Sequence, residues 1–176
     1  KLETRASTIK FDTVCQALEC AKNAEALNAK VRCLLTREIR EIVGKESAYP
    51  YLRLLLPQND TSTRGQYNIK EKRAAKLLVE KLGLSGMEAG ERLLRFADSS
   101  CNRTFTGDFA ATLADVLGPR AFPGRRSAAA TVGEINQRLD RLARARADAE
   151  RAACVYRAVT DLSPRQVKWI VRIIFQ

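Results

Sequence analysis

The chain has 176 residues, enough for one domain with a real hydrophobic core, and its Lys and Arg outnumber Asp and Glu by 31 to 20, for a formal charge of +11 and a pI near 9.8. Nucleic acid is the first partner to expect, because a basic surface gains by neutralising phosphates and releasing their counterions. There is no histidine, which excludes Ser-His-Asp and Cys-His nucleophilic machinery and most zinc sites.

The five cysteines, Cys15, Cys20, Cys33, Cys101 and Cys154, are odd in number and form no C-x-x-C pair. Neither a disulfide scaffold nor a redox motif is expected, and a reduced, intracellular compartment is the simpler reading. No apolar run nears the ~20 residues that span a bilayer, and Arg53 and Arg172 interrupt the longest candidates, so no membrane partner is expected. The chain starts at Lys1 and stops in mid-pattern at Gln176, and it reads as an excised module.

Helical periodicity dominates and strand alternation is nearly absent. Phe11, Val14, Cys15 and Leu18 stand at i, i+3, i+4 and i+7 of a first helix. Val31, Leu34, Leu35, Ile39 and Ile42 mark a second, ended by Gly44. Joined through residues 23–28, the two predict a helical hairpin over 9–44. Residues 49–56 predict a short apolar helix that tolerates Pro50 in its first turn and stops at Pro57. A loop follows over 58–66.

Residues 70–82 predict a helix with Ala75, Leu78, Val79 and Leu82 on one face and Gly83 closing it; 87–96 predict a shorter one with Leu93 and Phe96 inward. After a polar connection over 98–105, Phe109, Leu113, Val116 and Leu117 mark a helix opened at 106–108 and ended by Gly118-Pro119. Residues 120–130 make a basic loop containing Gly and Pro. Thr131-Val132-Gly133-Glu134 is a capping box for a helix striped by Ile135, Leu139 and Leu142. Alanine- and arginine-rich sequence runs on to Ala152, Val155, Tyr156 and Val159. Ser163-Pro164-Arg165-Gln166 then caps a last helix that is apolar on most sides. The sum is an all-α, compact, single domain over 1–176 with roughly seven to nine helices and no sheet.

Helix starts are the first candidates for phosphate contact, since they expose free N–H groups and the positive end of the helix dipole. Three carry arginine just upstream: Arg64 before Tyr67, Asn68 and Lys70; Arg103 before Thr106 and Gly107; and Arg120, Arg125 and Arg126 before Thr131. Glycine at 107 lets backbone approach a strand closely. Ordinary capping explains the same residues without DNA. Arg138, Arg141 and Arg144 recur at helical spacing, as either a basic stripe or a solvated face. Lys168 and Arg172 stand one turn apart beside Trp169, whose apolar neighbours make it a core residue. On the hairpin, Ile9, Phe11, Val14, Leu18, Leu35, Ile39 and Ile42 supply either a groove for a helical peptide or packing against the domain itself. No glycine-rich phosphate loop and no acidic cluster suited to two-metal chemistry occurs, so no catalytic residue and no metal ligand is nominated.

A set of short motifs follows in a recognisable order: Leu54-Leu55-Leu56-Pro57-Gln58, Tyr67-Asn68-Ile69-Lys70-Glu71, Gly107-Asp108-Phe109-Ala110, Pro119-Arg120 and Lys168-Trp169-Ile170-Val171-Arg172. In order and spacing, from Phe11 to the end, the chain resembles the N-terminal DNA-binding domain of the eukaryotic DNA ligase IV family. It departs at Asn68, where that family has glycine, and in a less charged loop over 60–64. The resemblance implies a module that grips duplex DNA around nicks or breaks, mainly across the minor groove and without reading sequence, in non-homologous end joining in the nucleus. ATP and Mg²⁺ would belong to the parent enzyme, and no cofactor to this fragment. The string Lys10-Phe11-Asp12-Thr13 lacks the glycine of the Lys-x-Asp-Gly nucleotidyltransferase motif, so the fragment is expected to bind and not react. The resemblance further implies an Artemis nuclease peptide on the hairpin, and an end-joining scaffold protein reached only through a C-terminal region absent here. Two alternatives stay open: the equivalent domain of another ATP-dependent DNA ligase, and a helical protein-interaction module.

Overall fold

Apolar residues at helical spacing need a partner surface, and here short helices supply it to one another. The computed structural model describes residues 4–98, 107–118 and 130–175. In chain order the helices are α1 Arg5–Thr8, α2 Phe11–Asn23, α3 Leu27–Leu34, α4 Arg37–Ile42, α5 Tyr49–Leu55, α6 Thr61–Arg64, α7 Glu71–Lys81, α8 Glu88–Leu94, α9 Phe109–Leu117, α10 Val132–Arg144, α11 Asp148–Val159 and α12 Pro164–Phe175. A 3₁₀ turn, Pro57–Asp60, joins α5 to α6. Among the described residues there is no strand, and one antiparallel bridge pairs Lys10 with Thr131. Phe11 N donates to Ala130 O at 2.7 Å and Val132 N to Ile9 O at 2.8 Å, so the starts of α2 and α10 are stitched together.

The all-α class is as expected, but the twelve helices among the described residues exceed the predicted range. Single turns such as α1 and α6 are too short for a 3.6-residue period to show. The second hairpin helix divides at Leu35, where Thr36 caps α4 by accepting from Ile39 N at 3.5 Å. Carbonyls freed by that break find donors: Tyr51 Oη donates to Leu34 O at 2.7 Å and Arg40 Nε to Leu35 O at 2.7 Å. Burial pushes the Tyr51 hydroxyl up to about 12, so it remains a donor. The alanine- and arginine-rich run likewise breaks at extended Ala145 and Ala147, separating α10 from α11.

The predicted caps form. Glu134 N donates to Thr131 Oγ1 at 3.2 Å and Thr131 N to Glu134 Oε2 at 2.8 Å. Ser163 N donates to Gln166 Oε1 at 3.0 Å, and Gln166 N to Ser163 Oγ at 3.4 Å. α12 lies at the centre against α9, α2 and α11, burying Val167, Trp169, Ile170, Val171, Ile173 and Ile174. Phe109 bridges Phe96 (5.1 Å between centroids) and Phe175 (5.5 Å). At Gly90 a Cβ would lie 2.2 Å from Leu84 O, so this turn admits only glycine without a shift.

The cysteine expectation is corrected. Cys20 and Cys33 form a disulfide, Cα atoms 5.6 Å apart, across the antiparallel α2–α3 pair. Counting cysteines and searching for C-x-x-C cannot detect it, because the pairing depends on a hairpin bringing together positions 13 residues apart. Cys15 is buried in the core, and burial pushes its thiol well above the ordinary range.

Candidate nucleic-acid interface

Every aspartate of the chain is ion-paired with arginine: Asp12, Asp60, Asp98, Asp108, Asp115, Asp140, Asp148 and Asp161. Lysine is used differently. Among the described residues Lys168 alone joins an ion pair, while Lys10, Lys22, Lys30, Lys45, Lys70, Lys72, Lys76 and Lys81 are exposed and make none. Half of these free lysines sit on α7 or at its start. Unpaired positive charge therefore reaches the surface as these lysines, four of them along one helix, and as exposed arginines such as Arg32, Arg141, Arg144 and Arg146, which join no ion pair among the described residues.

The approach to α7 is built on charges inside the protein. Arg53 Nε lies 2.8 Å from Asp60 Oδ2, and its two terminal nitrogens reach Asp140 at 2.9 and 3.4 Å. Arg64 Nε lies 2.8 Å from Asp140 Oδ1 and 3.2 Å from Asp60 Oδ2. Its other nitrogens donate to Tyr67 Oη at 3.2 Å and to Asn136 Oδ1. Tyr49 Oη donates to Asp60 Oδ1 at 3.1 Å, and Asn136 Nδ2 to Pro50 O at 2.8 Å. Burial would raise the Asp140 carboxyl, but hydrogen bonds from Arg53 and Arg64 prevail and hold it below the ordinary range.

Arg64 was expected at the phosphate-contact surface, and this is corrected: its side chain is 2% exposed and its nitrogens are engaged inside the fold. Tyr67 is half-buried against the core with its hydroxyl held by Arg64, and burial raises its pKa. Asn68 and Lys70 are exposed. Asn68 takes a left-handed φ of +48°, the conformation that asparagine tolerates best after glycine. Lys70 occupies the N-cap position of α7 with no side-chain cap, leaving the first amides of that helix open. Residues 65–70 line a cleft of about 700 Å³ together with Ile173, Ile174 and Phe175.

A second helix start meets the last helix. Gly107, exposed at φ +64°, precedes Asp108, whose Oδ1 accepts from Ala110 N at 2.9 Å and Ala111 N at 3.2 Å. Arg172 pairs with the other oxygen of Asp108 and lies 4.9 Å over the Trp169 ring. Lys168 Nζ lies 3.0 Å from Glu19 Oε1. Burial would raise Glu19, yet the hydrogen bond from Lys168 prevails and lowers it. Lys168 and Arg172, expected as contacts, thus first hold α12 to α2 and α9. Arg103, Thr106, Arg120, Arg125 and Arg126 lie outside the described residues. Arg138 is tied to Asp161 at 2.6 and 2.8 Å, while Arg141 and Arg144 are exposed.

The hairpin groove is also corrected. Ile9, Phe11, Val14, Ile39 and Ile42 are buried in the domain's own core and Leu18 packs against it, leaving only Leu35 substantially exposed. The other outward apolar residues of the hairpin are instead Val43 after α4, and Leu27 and Val31 on α3, a helix with no buried residue. Sequence reasoning missed Arg53, Asp60, Asn136 and Asp140 altogether; the i, i+4 spacing of Asp60 and Arg64 was the one local sign. No three His, Cys, Asp or Glu side chains among the described residues are grouped to hold a metal ion, and no helix there is long and apolar enough to cross a membrane.

The architecture is thus an all-α domain that pairs each aspartate with arginine and presents unpaired lysine and arginine, and the open start of α7, outward. A family model described as DNA ligase N terminus matches residues 7–176, and the chain belongs to that family. It is similar to DNA ligase 4 of Neurospora crassa, 32% identical over 142 residues, covering 78% of this chain and 13% of that protein. DNA ligase 4 of Dictyostelium discoideum is 32% identical over 170 residues, covering 96% of this chain and 16% of the relative. A putative DNA ligase 4 of Oryza sativa is 29% identical over 189 residues, covering 97% and 14%. These comparisons agree with the resemblance drawn from the motif order. The chain spans only 13% to 16% of the length of these relatives.

Proposed function

We propose that this domain binds duplex DNA around nicks or breaks, without reading sequence, as the clamp domain of a DNA ligase IV-type enzyme in end-joining repair in the nucleus. Family membership over residues 7–176 supports the ligase setting. The observation that carries DNA binding is the asymmetry of charge: arginine neutralises every aspartate, and exposed lysine is left along α7. Lysine, a strongly hydrated point charge on a flexible stem, neutralises phosphate without fixing base identity. That suits a substrate whose sequence is arbitrary. Lys70, Asn68 and the open amides of α7 would contact the sugar-phosphate backbone, with Lys72 and Lys76 following it along the helix. Nucleotidyl transfer with ATP and Mg²⁺ would be carried out elsewhere in the parent protein, and this domain would supply the positioning that a long substrate needs. Equilibrium binding to a nicked duplex, in wild type and in K70Q/K72Q/K76Q, tests the reading; equal affinities would count against it.

One observation favours a second role beside the first. Leu27 and Val31 on α3 and Leu35 at its C-cap are 75%, 44% and 40% exposed at four-residue spacing, an outward apolar stripe of the kind that receives an amphipathic helix such as an Artemis-like peptide. Titration with such a peptide against L27E/V31E would show whether it docks there.

A further inference from the structure

We infer that Arg64 is a positioning residue for the DNA-binding surface: from inside the protein it sets the course of the turn that presents Asn68 and Lys70, a role whose consequence rests on the DNA-binding reading above. Residues 65–70 have no regular structure, and among the described residues no backbone-to-backbone hydrogen bond is donated by the amides of 66–70. Gly65 at φ +88° and Asn68 at φ +48° give the segment two left-handed points. Within the segment itself, Asn68 Nδ2 donates to Gln66 O at a long 3.4 Å. Such a stretch holds one path only if its side chains are anchored.

Tyr67 and Ile69 are the anchors, half-buried against the core, and Arg64 fastens the first. The guanidinium sends each nitrogen a different way. Nε meets Asp140 and Asp60, one terminal nitrogen meets Asn136, and the other meets the Tyr67 hydroxyl at 3.2 Å. Asn136 and Asp140 stand one turn apart on α10, a long helix packed on both α5 and α11. Asn136 is fixed in turn through Pro50 O, and Asp140 through Arg53. Tyr67 is therefore tied through one fork to a rigid helix and its neighbour. Lysine carries its three donors on one nitrogen, and from that single point it cannot span the partners that the planar fork reaches with three separate nitrogens. With Arg64 gone, the segment leading into α7 keeps its packing but loses its polar tether, and Lys70 no longer starts from a fixed place.

The test compares wild type, R64Q, R64K, Y67F, K70Q and R64Q/K70Q, all well below their unfolding temperatures. Backbone amide order parameters without DNA read the tether. In R64Q and R64K those of residues 66–70 should fall from a rigid value of about 0.85 to below about 0.6, while those of Ile170 and Ile173 stay rigid. Y67F, which removes only the tethered hydroxyl, should shift the same amides in the same direction, and with R64K keeps the test decisive if R64Q fails to fold. Binding to a nicked duplex reads the consequence. R64Q should weaken affinity, and R64Q/K70Q should be no weaker than the worse single variant, because both act through one turn. Unchanged order parameters at 66–70 in R64K and Y67F would overturn the tether. Additive losses in the double variant would overturn action through Lys70. Absence of wild-type binding would instead overturn the DNA-binding reading, and with it the consequence, while leaving the order parameters to decide the tether.

Discussion

Arg172 and Asp108 join the last helix to the cap of α9: the guanidinium that pairs with Asp108 also lies 4.9 Å over the ring of Trp169. One side chain thus supports a helix cap, an ion pair and an aromatic contact in the middle of the fold. Replacing Arg172 with alanine is expected to lower stability by about 2 kcal/mol, read from the midpoint of urea unfolding at unchanged slope. A variant as stable as wild type would show that these contacts contribute nothing net.

The carboxyls that arginine and lysine hold down predict the acid limb of stability. Burial opposes ionisation of Asp108, Asp140 and Glu19, but their hydrogen bonds to Arg172, to Arg53 and Arg64, and to Lys168 prevail, lowering each from its ordinary 3.8 or 4.5. A carboxyl lowered in the folded state contributes stability that is full above its unfolded pKa and is lost as the pH falls through its folded one. Stability is expected to be flat with respect to these groups above about pH 5 and to fall below about pH 4.5. D140N should flatten part of that slope in urea titrations between neutral and acid pH. An acid limb identical in wild type and variant would contradict the assignment.

The Cys20–Cys33 bond fastens a helix that has little else to hold it, since α3 buries no residue and packs mainly on α2. Reduction with a dithiol is expected to speed amide exchange across α3 and leave α10 and α12 unchanged, with a loss of about 3 kcal/mol at most for a loop of this size. Uniform acceleration over the whole domain would mean that the hairpin is integral to the cooperative unit.

Gly90 allows no side chain, because a Cβ there would lie 2.2 Å from the Leu84 carbonyl oxygen. G90A is expected to destabilise by about 2–3 kcal/mol, despite alanine's better helix propensity. A stabilised G90A, read by thermal unfolding, would show that the α7–α8 turn relaxes freely.

Local patterns were legible and distant ones were not. The capping residues Thr131 and Glu134, and the stripe of Ile135, Leu139 and Leu142, act within a turn or two, so spacing alone reveals them. The motif order disclosed the family without any contact being known. Arg64 was misplaced because a basic residue before a helix start looks the same whether it faces water or an aspartate 76 residues away. Ile39 and Ile42 looked free for a partner because periodicity shows which residues share a face, and not what covers it. Cys20 and Cys33 met only once the hairpin had folded. The free lysines of α7 were visible as letters, but their significance appeared only when Arg53, Arg64 and Arg172 proved to be occupied by aspartates.

The most direct test of DNA contact along α7 is binding of wild type and K70Q/K72Q/K76Q to a nicked duplex across a salt series. The account predicts salt-sensitive binding by wild type, and a log–log slope shallower in the variant by about 0.9 for each lysine that meets a phosphate. Equal slopes in the two proteins, or no binding by wild type even at low salt, would contradict it.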